Sequence, residues 1–186
     1  MKTLVSGGTL VTAVDTYLAD VAIQDGKIAA VFLPDHAPPG PYDTTIDARG
    51  MYVMPGGIDA HTHLDMPFGG TTSSDDFETG TLAAAYGGTT SLVDFAIQKK
   101  GEALRTGLDT WHAKAEGKAA IDYGFHMIAT DINPSSLAEM GELVREGVTS
   151  FKMFMAYPGV FYATDGEIVR AMTRAEIGRA SCRERV

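Results

Sequence analysis

Gly56-Gly57-Ile58-Asp59-Ala60-His61-Thr62-His63 decides how the rest of the chain is read. Residues i and i+2 of a strand point to the same side. His61 and His63 can therefore offer two imidazoles to one metal ion. The apolar run Met51 to Met54 precedes them as a strand, and the glycines allow close approach. At the C-terminal end of a strand in a β/α barrel, such residues stand where active sites form. Two loop histidines without a ligand role are the plain alternative, and the strand-end position favours ligands.

Working back from that stretch, residues 2–34 read as short strands. Leu4-Val5, Gly7-Gly8 and Leu10-Val11 suggest one hairpin. Val21 to Ile23, Asp25-Gly26 and Ile28 to Val31 suggest another, because Asp-Gly supplies the positive φ angles of a tight turn. Residues 34–43 form a Pro-rich loop, and Thr45 to Ala48 reads as a further strand. Residues 1–54 are thus expected to be a small β-strand unit.

Working forward, strand and helix patterns alternate, which signals βα units on a parallel sheet. Asp75 and Glu78 box a helix that Gly87-Gly88 ends. Ser91 to Ala96 is a strand. Leu104, Leu108, Trp111 and Ala115 share one helical face. Ile121 to Ile128 is the next strand, and Ser136 with Glu139 opens a helix striped by Leu137, Met140 and Val144. Thr149 to Met155 is a strand, and Thr164 with Glu167 opens the last helix. Residues 55–177 thus hold four βα units.

The chain has 186 residues, too few for a whole (β/α)₈ barrel of ~250. Its net charge of −9, without a Lys/Arg cluster, argues against nucleic acid and anionic membrane as partners. No apolar run approaches the ~20 residues of a membrane span. The opening MKTLVSGGTLVTAVD lacks the long apolar core of a signal peptide.

Lys152 stands in Ser150-Phe151-Lys152-Met153-Phe154-Met155. An ammonium is costly to bury among Phe and Met. Lys152 is either a surface or snorkelling residue, or a buried neutral amine. A neutral amine can take up carbon dioxide as a carbamate, a carboxylate on a long stem able to bridge two metal ions. An ammonium has no lone pair to give. Tyr157 follows at the strand end, either as a packed aromatic or as a phenol donating to a developing oxyanion. His36, His112 and His126 are expected in a solvated loop, at a helix edge and within a strand. Asp59, Asp65 and Asp94 are candidate partners orienting an imidazole.

PGGIDAHTHLDMPFGGTTSSDDFETGTLAAAYGGTTSLVDF (55–95) and FKMFMAYPG (151–159) resemble the N-terminal part of the dihydropyrimidinase and hydantoinase family of cyclic amidohydrolases. The resemblance runs to about residue 175. It implies an α/β fold, the N-terminal part of a metal-dependent (β/α)₈ TIM barrel preceded by strands of a small β-sandwich domain. It implies two divalent metal ions, usually Zn²⁺. His61 and His63 match ligands of one ion, and Lys152 matches the carbamylated bridging ligand. Tyr157 matches the tyrosine that stabilises the tetrahedral intermediate. Leu64 to Gly70 matches the loop shaping the substituent pocket, with Leu64, Met66 and Phe68 as its side chains. The implied reaction opens dihydropyrimidine or hydantoin rings to N-carbamoyl amino acids. An allantoinase- or dihydroorotase-like enzyme is the alternative, and a non-catalytic structural relative another. A cytoplasmic homo-oligomer, a tetramer by resemblance, is expected.

The ending departs from that pattern. The family continues with an apolar strand carrying the next ligand histidine, whereas here Gly178 to Val186 reads GRASCRERV. This tail, which holds the sole cysteine Cys182, resembles translated adapter or vector sequence. Two His and one Asp of the family's ligand set are therefore expected to be missing, the barrel incomplete, and this polypeptide alone inactive and poorly folded.

Overall fold

A computed structural model describes residues 1–176 and 181–184. The chain divides into two compact units, Met1–Pro55 and Gly56–Val186.

The first unit is a sheet. Strands β1 (Lys2–Val11), β2 (Thr16–Gln24), β3 (Lys27–Phe32) and β4 (Thr44–Asp47) lie in the order β3-β2-β1-β4, and β5 (Tyr52–Val53) also pairs with β1. The Asp25-Gly26 turn joins β2 to β3 with φ of 51° and 76°, the twist that antiparallel strands need. Gly7-Gly8 does not turn the chain. It is a bulge within the single strand β1, where the register on β2 shifts between Val5 and Gly8. Gly7 takes φ 73° there and donates its N–H to the buried Asp20 carboxylate at 2.7 Å. A bulge glycine and a turn glycine leave the same mark in a sequence.

The second unit is a parallel sheet with a helix after each of its first four strands. Its strands are β6 (Gly57–Thr62), β9 (Thr89–Ile97), β10 (Asp122–Ile128), β11 (Phe151–Phe154) and β12 (Ser181–Glu184), in the order β12-β11-β10-β9-β6. A short hairpin, β7 (Pro67–Phe68) with β8 (Thr71–Thr72), follows β6. The helices are α1 (Phe77–Tyr86), α2 (Leu104–Ala115), α3 (Pro134–Arg145) and α4 (Asp165–Glu176). Each packs on the next, so they form one layer over the sheet, as right-handed βα crossovers require. This is the opening run of a β/α barrel.

Leu104, Leu108, Trp111 and Ala115 are all buried, as their spacing predicts. Two caps differ from expectation. Asp76 with Thr79, not Asp75 with Glu78, boxes α1, and Asn133 with Ser136 boxes α3. In both, a hydroxyl reaches back to the cap amide, which a shorter side chain can do as well as Glu. The histidine-bearing strand is β6 itself. Met51 to Met54 contributes β5 to the first unit's sheet. Of the tail, Ser181–Glu184 run parallel to β11 as a fifth strand where four were expected, and residues 177–180 and 185–186 lie outside the described residues.

Candidate active site

Alternation along the strands sorts side chains to the two faces of the sheet. Toward the helices point Leu92, Asp94 and Met127, all buried. On the other face, at the C-terminal ends of β6, β9, β10 and β11, Phe95 is the meeting point. His61 and His63 ring centroids lie 4.5 and 5.0 Å from its ring, and 5.1 Å from each other. The Lys152 Nζ lies 4.4 Å from the same ring and 4.8 Å from that of Phe154. His126 also lies against Phe95, its ring tilted by 36° with centroids 4.7 Å apart. The register explains the convergence: Phe95 pairs with His126, and Lys152 pairs with Ile128, the last residue of β10.

Lys152 is 2% exposed, so it is buried rather than a surface or snorkelling residue. Both rings of aromatic carbon beside it offer quadrupole attraction to a cation. His126 has both ring nitrogens engaged: Nε2–H donates to the Ala60 carbonyl at 2.9 Å, and Nδ1 meets the Ser150 hydroxyl. It braces β6 rather than presenting a free lone pair.

A cavity of about 380 Å³ opens beside these groups, lined among others by His63, Met66, Phe68, Lys152, Tyr157 and Phe161. That volume lies within the range of small-molecule sites. Phe154 and Phe161 stack at 5.1 Å along one wall, and Tyr157 meets Phe68 edge-on at 5.8 Å. Tyr157 holds φ 61°, a conformation that costs a non-glycine residue energy. Its carbonyl accepts from the amides of Val160, Phe161 and Tyr162, which fixes it there.

Of the three expected pocket residues, Met66 and Phe68 line the cavity and Leu64 does not. Leu64 packs instead over Gly80 of α1, where a Cβ would lie 2.4 Å from its Cδ2. The loop is held by Lys114 of α2, whose Nζ reaches the Asp65 carbonyl, lies 3.6 Å from its carboxylate and sits 4.4 Å over the Trp111 ring. Asp59 accepts the His61 backbone amide at 3.0 Å. Asp94 accepts from Thr62, Leu64, Phe95 and Trp111. His36 is exposed in its loop, its Nδ1 against the Pro34 carbonyl. His112 is exposed on α2 and edge-on to Phe125.

Among the described residues, no three His, Cys, Asp or Glu side chains gather as a metal site. Two imidazoles and one buried amine are what the chain brings together. Sequence reasoning passed over Phe95, because an aromatic in an apolar strand looks like ordinary core.

The model of the amidohydrolase family matches residues 52–184. A D-hydantoinase of Streptomyces coelicolor is 60% identical over 176 residues, which cover 94% of this chain and 38% of the relative. A crystal structure of a D-hydantoinase superposes with a TM-score of 0.93 at 49% identity, over 99% of this chain and 40% of that one. A dihydropyrimidinase from Brevibacillus agri gives a TM-score of 0.92 at 49% identity, again over 99% and 40%. The chain thus spans about two fifths of the length of the proteins it matches.

Proposed function

Because the chain belongs to the amidohydrolase family, we propose that it carries part of the active site of a hydrolase that opens cyclic amides, dihydropyrimidines or hydantoins, to N-carbamoyl amino acids. The observation that carries the reading is the convergence of His61, His63 and the buried Lys152 on Phe95, beside a cavity that Tyr157 lines.

The donor set suits divalent metal ions, and by resemblance zinc. His61 and His63 would hold one ion, and Lys152, as its carbamate, would bridge to a second. A carboxylate on that stem would add an oxygen donor where, among the described residues, no three His, Cys, Asp or Glu side chains gather. When bound, such ions acidify water and polarise a carbonyl. The carbamate forms when the neutral Lys152 amine adds to carbon dioxide: one N–C bond is made and one proton passes to water.

The chain's own groups then have separable tasks. Met66, Phe68 and Phe161 present an apolar wall to a ring substituent and exclude water. The Tyr157 hydroxyl donates a hydrogen bond to the ring carbonyl oxygen as negative charge gathers on it. Its constrained backbone holds the phenol in place before substrate arrives. Water supplies hydroxyl to the carbonyl carbon and a proton to the departing ring nitrogen, and the ring C–N bond breaks.

The test replaces the matching segment of the Streptomyces coelicolor D-hydantoinase with this chain. The chimera is assayed on dihydrouracil, hydantoin, allantoin and dihydroorotate. Turnover of the first two, lost on Lys152→Ala and partly restored by short carboxylic acids, is the expected result. A chimera that stays equally active after Lys152→Ala, or one selective for allantoin, contradicts the proposal.

A further inference from the structure

The Asp94 carboxylate is 0% exposed, and each of its oxygens accepts two hydrogen bonds. Oδ2 takes the Thr62 hydroxyl at 3.0 Å and the Leu64 amide at 2.7 Å. Oδ1 takes the Phe95 amide at 2.6 Å and the Trp111 indole N–H at 3.2 Å. Thr62 and Leu64 are the residues on either side of His63. Alternation sends the Thr62 side chain toward the helices and the His63 ring to the opposite face. The carboxylate therefore clasps the chain from behind, at the two points that set where His63 aims. Phe95, whose amide the other oxygen holds, is the ring on which His61, His63 and Lys152 all rest.

We infer that Asp94 is a positioning residue for His63: by gripping the flanking hydroxyl and amide it fixes the direction of the imidazole, and so sets the affinity of the site for a metal ion. The inference rests on His63 being a ligand, as proposed above. It assigns Asp94 a role through backbone rather than through direct contact with an imidazole. Groups behind metal ligands typically carry 10–100-fold in metal affinity. An amide cannot replace this carboxylate, because Asn would turn an NH₂ toward at least one N–H donor whichever way it is set: Leu64 on one side, Phe95 and Trp111 on the other.

The test uses four variants of the chain and two readouts: cobalt(II) titration followed by its visible absorption, and the imidazole NMR signals of His63 in histidine-labelled protein without metal. Thr62→Val removes one Oδ2 donor and leaves Asp94 in place. It is expected to weaken cobalt binding ten- to a hundredfold and to broaden or split the His63 signals. Thr62→Ser restores both. Asp94→Asn acts at least as strongly as Thr62→Val; if it does not fold, the threonine pair carries the comparison. Trp111→Phe removes an Oδ1 donor and lowers the melting temperature, yet leaves cobalt affinity and the His63 signals near those of the unsubstituted chain. The inference is overturned if Thr62→Val binds cobalt normally, or if Trp111→Phe weakens binding as much. Should the unsubstituted chain bind no cobalt, the titrations are repeated in the Streptomyces coelicolor chimera; if that binds none either, the ligand assignment fails, and the metal-free His63 signals alone decide the positioning. A single sharp set in Thr62→Val then overturns it.

Discussion

Lys152 is the residue on which the reading of the site turns. At 2% exposure, its side-chain nitrogen lies between the rings of Phe95 and Phe154. Methionine is one atom shorter, carries no charge and makes a favourable sulfur–aromatic contact. Lys152→Met, which keeps an apolar stem in the same place, is expected to leave the fold standing while abolishing metal binding. Urea denaturation beside a metal titration checks both halves, and a marked loss of stability would show that the amine is there for folding. The sequence made Lys152 conspicuous because a charged residue among Phe and Met breaks the apolar pattern. It made Phe95 inconspicuous for the opposite reason, and it held no sign of Asp94's partners. Thr62 and Leu64 lie about thirty positions away and Trp111 seventeen, and only strand register and helix packing bring them together.

Among the elements, α2 and α4 carry predictions whose signs are set by their surroundings. Gly107 sits inside α2, where Ala normally adds roughly 1 kcal/mol. Here a Cβ would lie 2.5 Å from the Ile97 carbonyl oxygen and 2.8 Å from the Met127 methyl. The helix has approached β9 too closely for a side chain, so Gly107→Ala is expected to lower the melting temperature, not raise it. At the start of α4, the Glu167 carboxylate accepts the Thr164 hydroxyl and amide, and the hydroxyl bond above all holds its pKa below the ordinary value. A lowered folded pKa gives stability that is complete above the unfolded carboxylate range and is lost as pH falls through the folded value. Hydrogen exchange in the first turn of α4 should accelerate over that acid window, and Glu167→Gln should flatten the dependence. That cap was legible in the sequence because Thr164 and Glu167 stand at capping-box spacing. The caps of α1 and α3 fell on neighbouring residues, since Asp75-Asp76 and Asn133-Ser136 offer several side chains of nearly equal capping power.

For the whole molecule, the alternation of strand and helix was enough to place the second unit as the start of a β/α barrel. The sheet that results is open. The described strands leave β6 with one partner, and Ile58 on it is 73% exposed. An unpaired strand edge with apolar side chains invites pairing with another chain. Concentration-dependent association is expected by sedimentation, and Ile58→Lys should reduce it without changing metal binding. The β12 strand, beside β11, marks where sequence pattern was least informative. Ser181–Glu184 contain no apolar run, and their place follows from the parallel ladder with Phe151–Phe154. No helix among the described residues is long and apolar enough to cross a membrane.

That His61, His63 and a carbamylated Lys152 together form a metal site is tested most directly by carbon-13 NMR of the chain with zinc and labelled bicarbonate, compared with Lys152→Met. One carbamate resonance is expected, dependent on zinc, absent in Lys152→Met and faded in His63→Ala. A spectrum without that resonance at saturating bicarbonate and zinc, or one in which it survives Lys152→Met, would contradict the assignment.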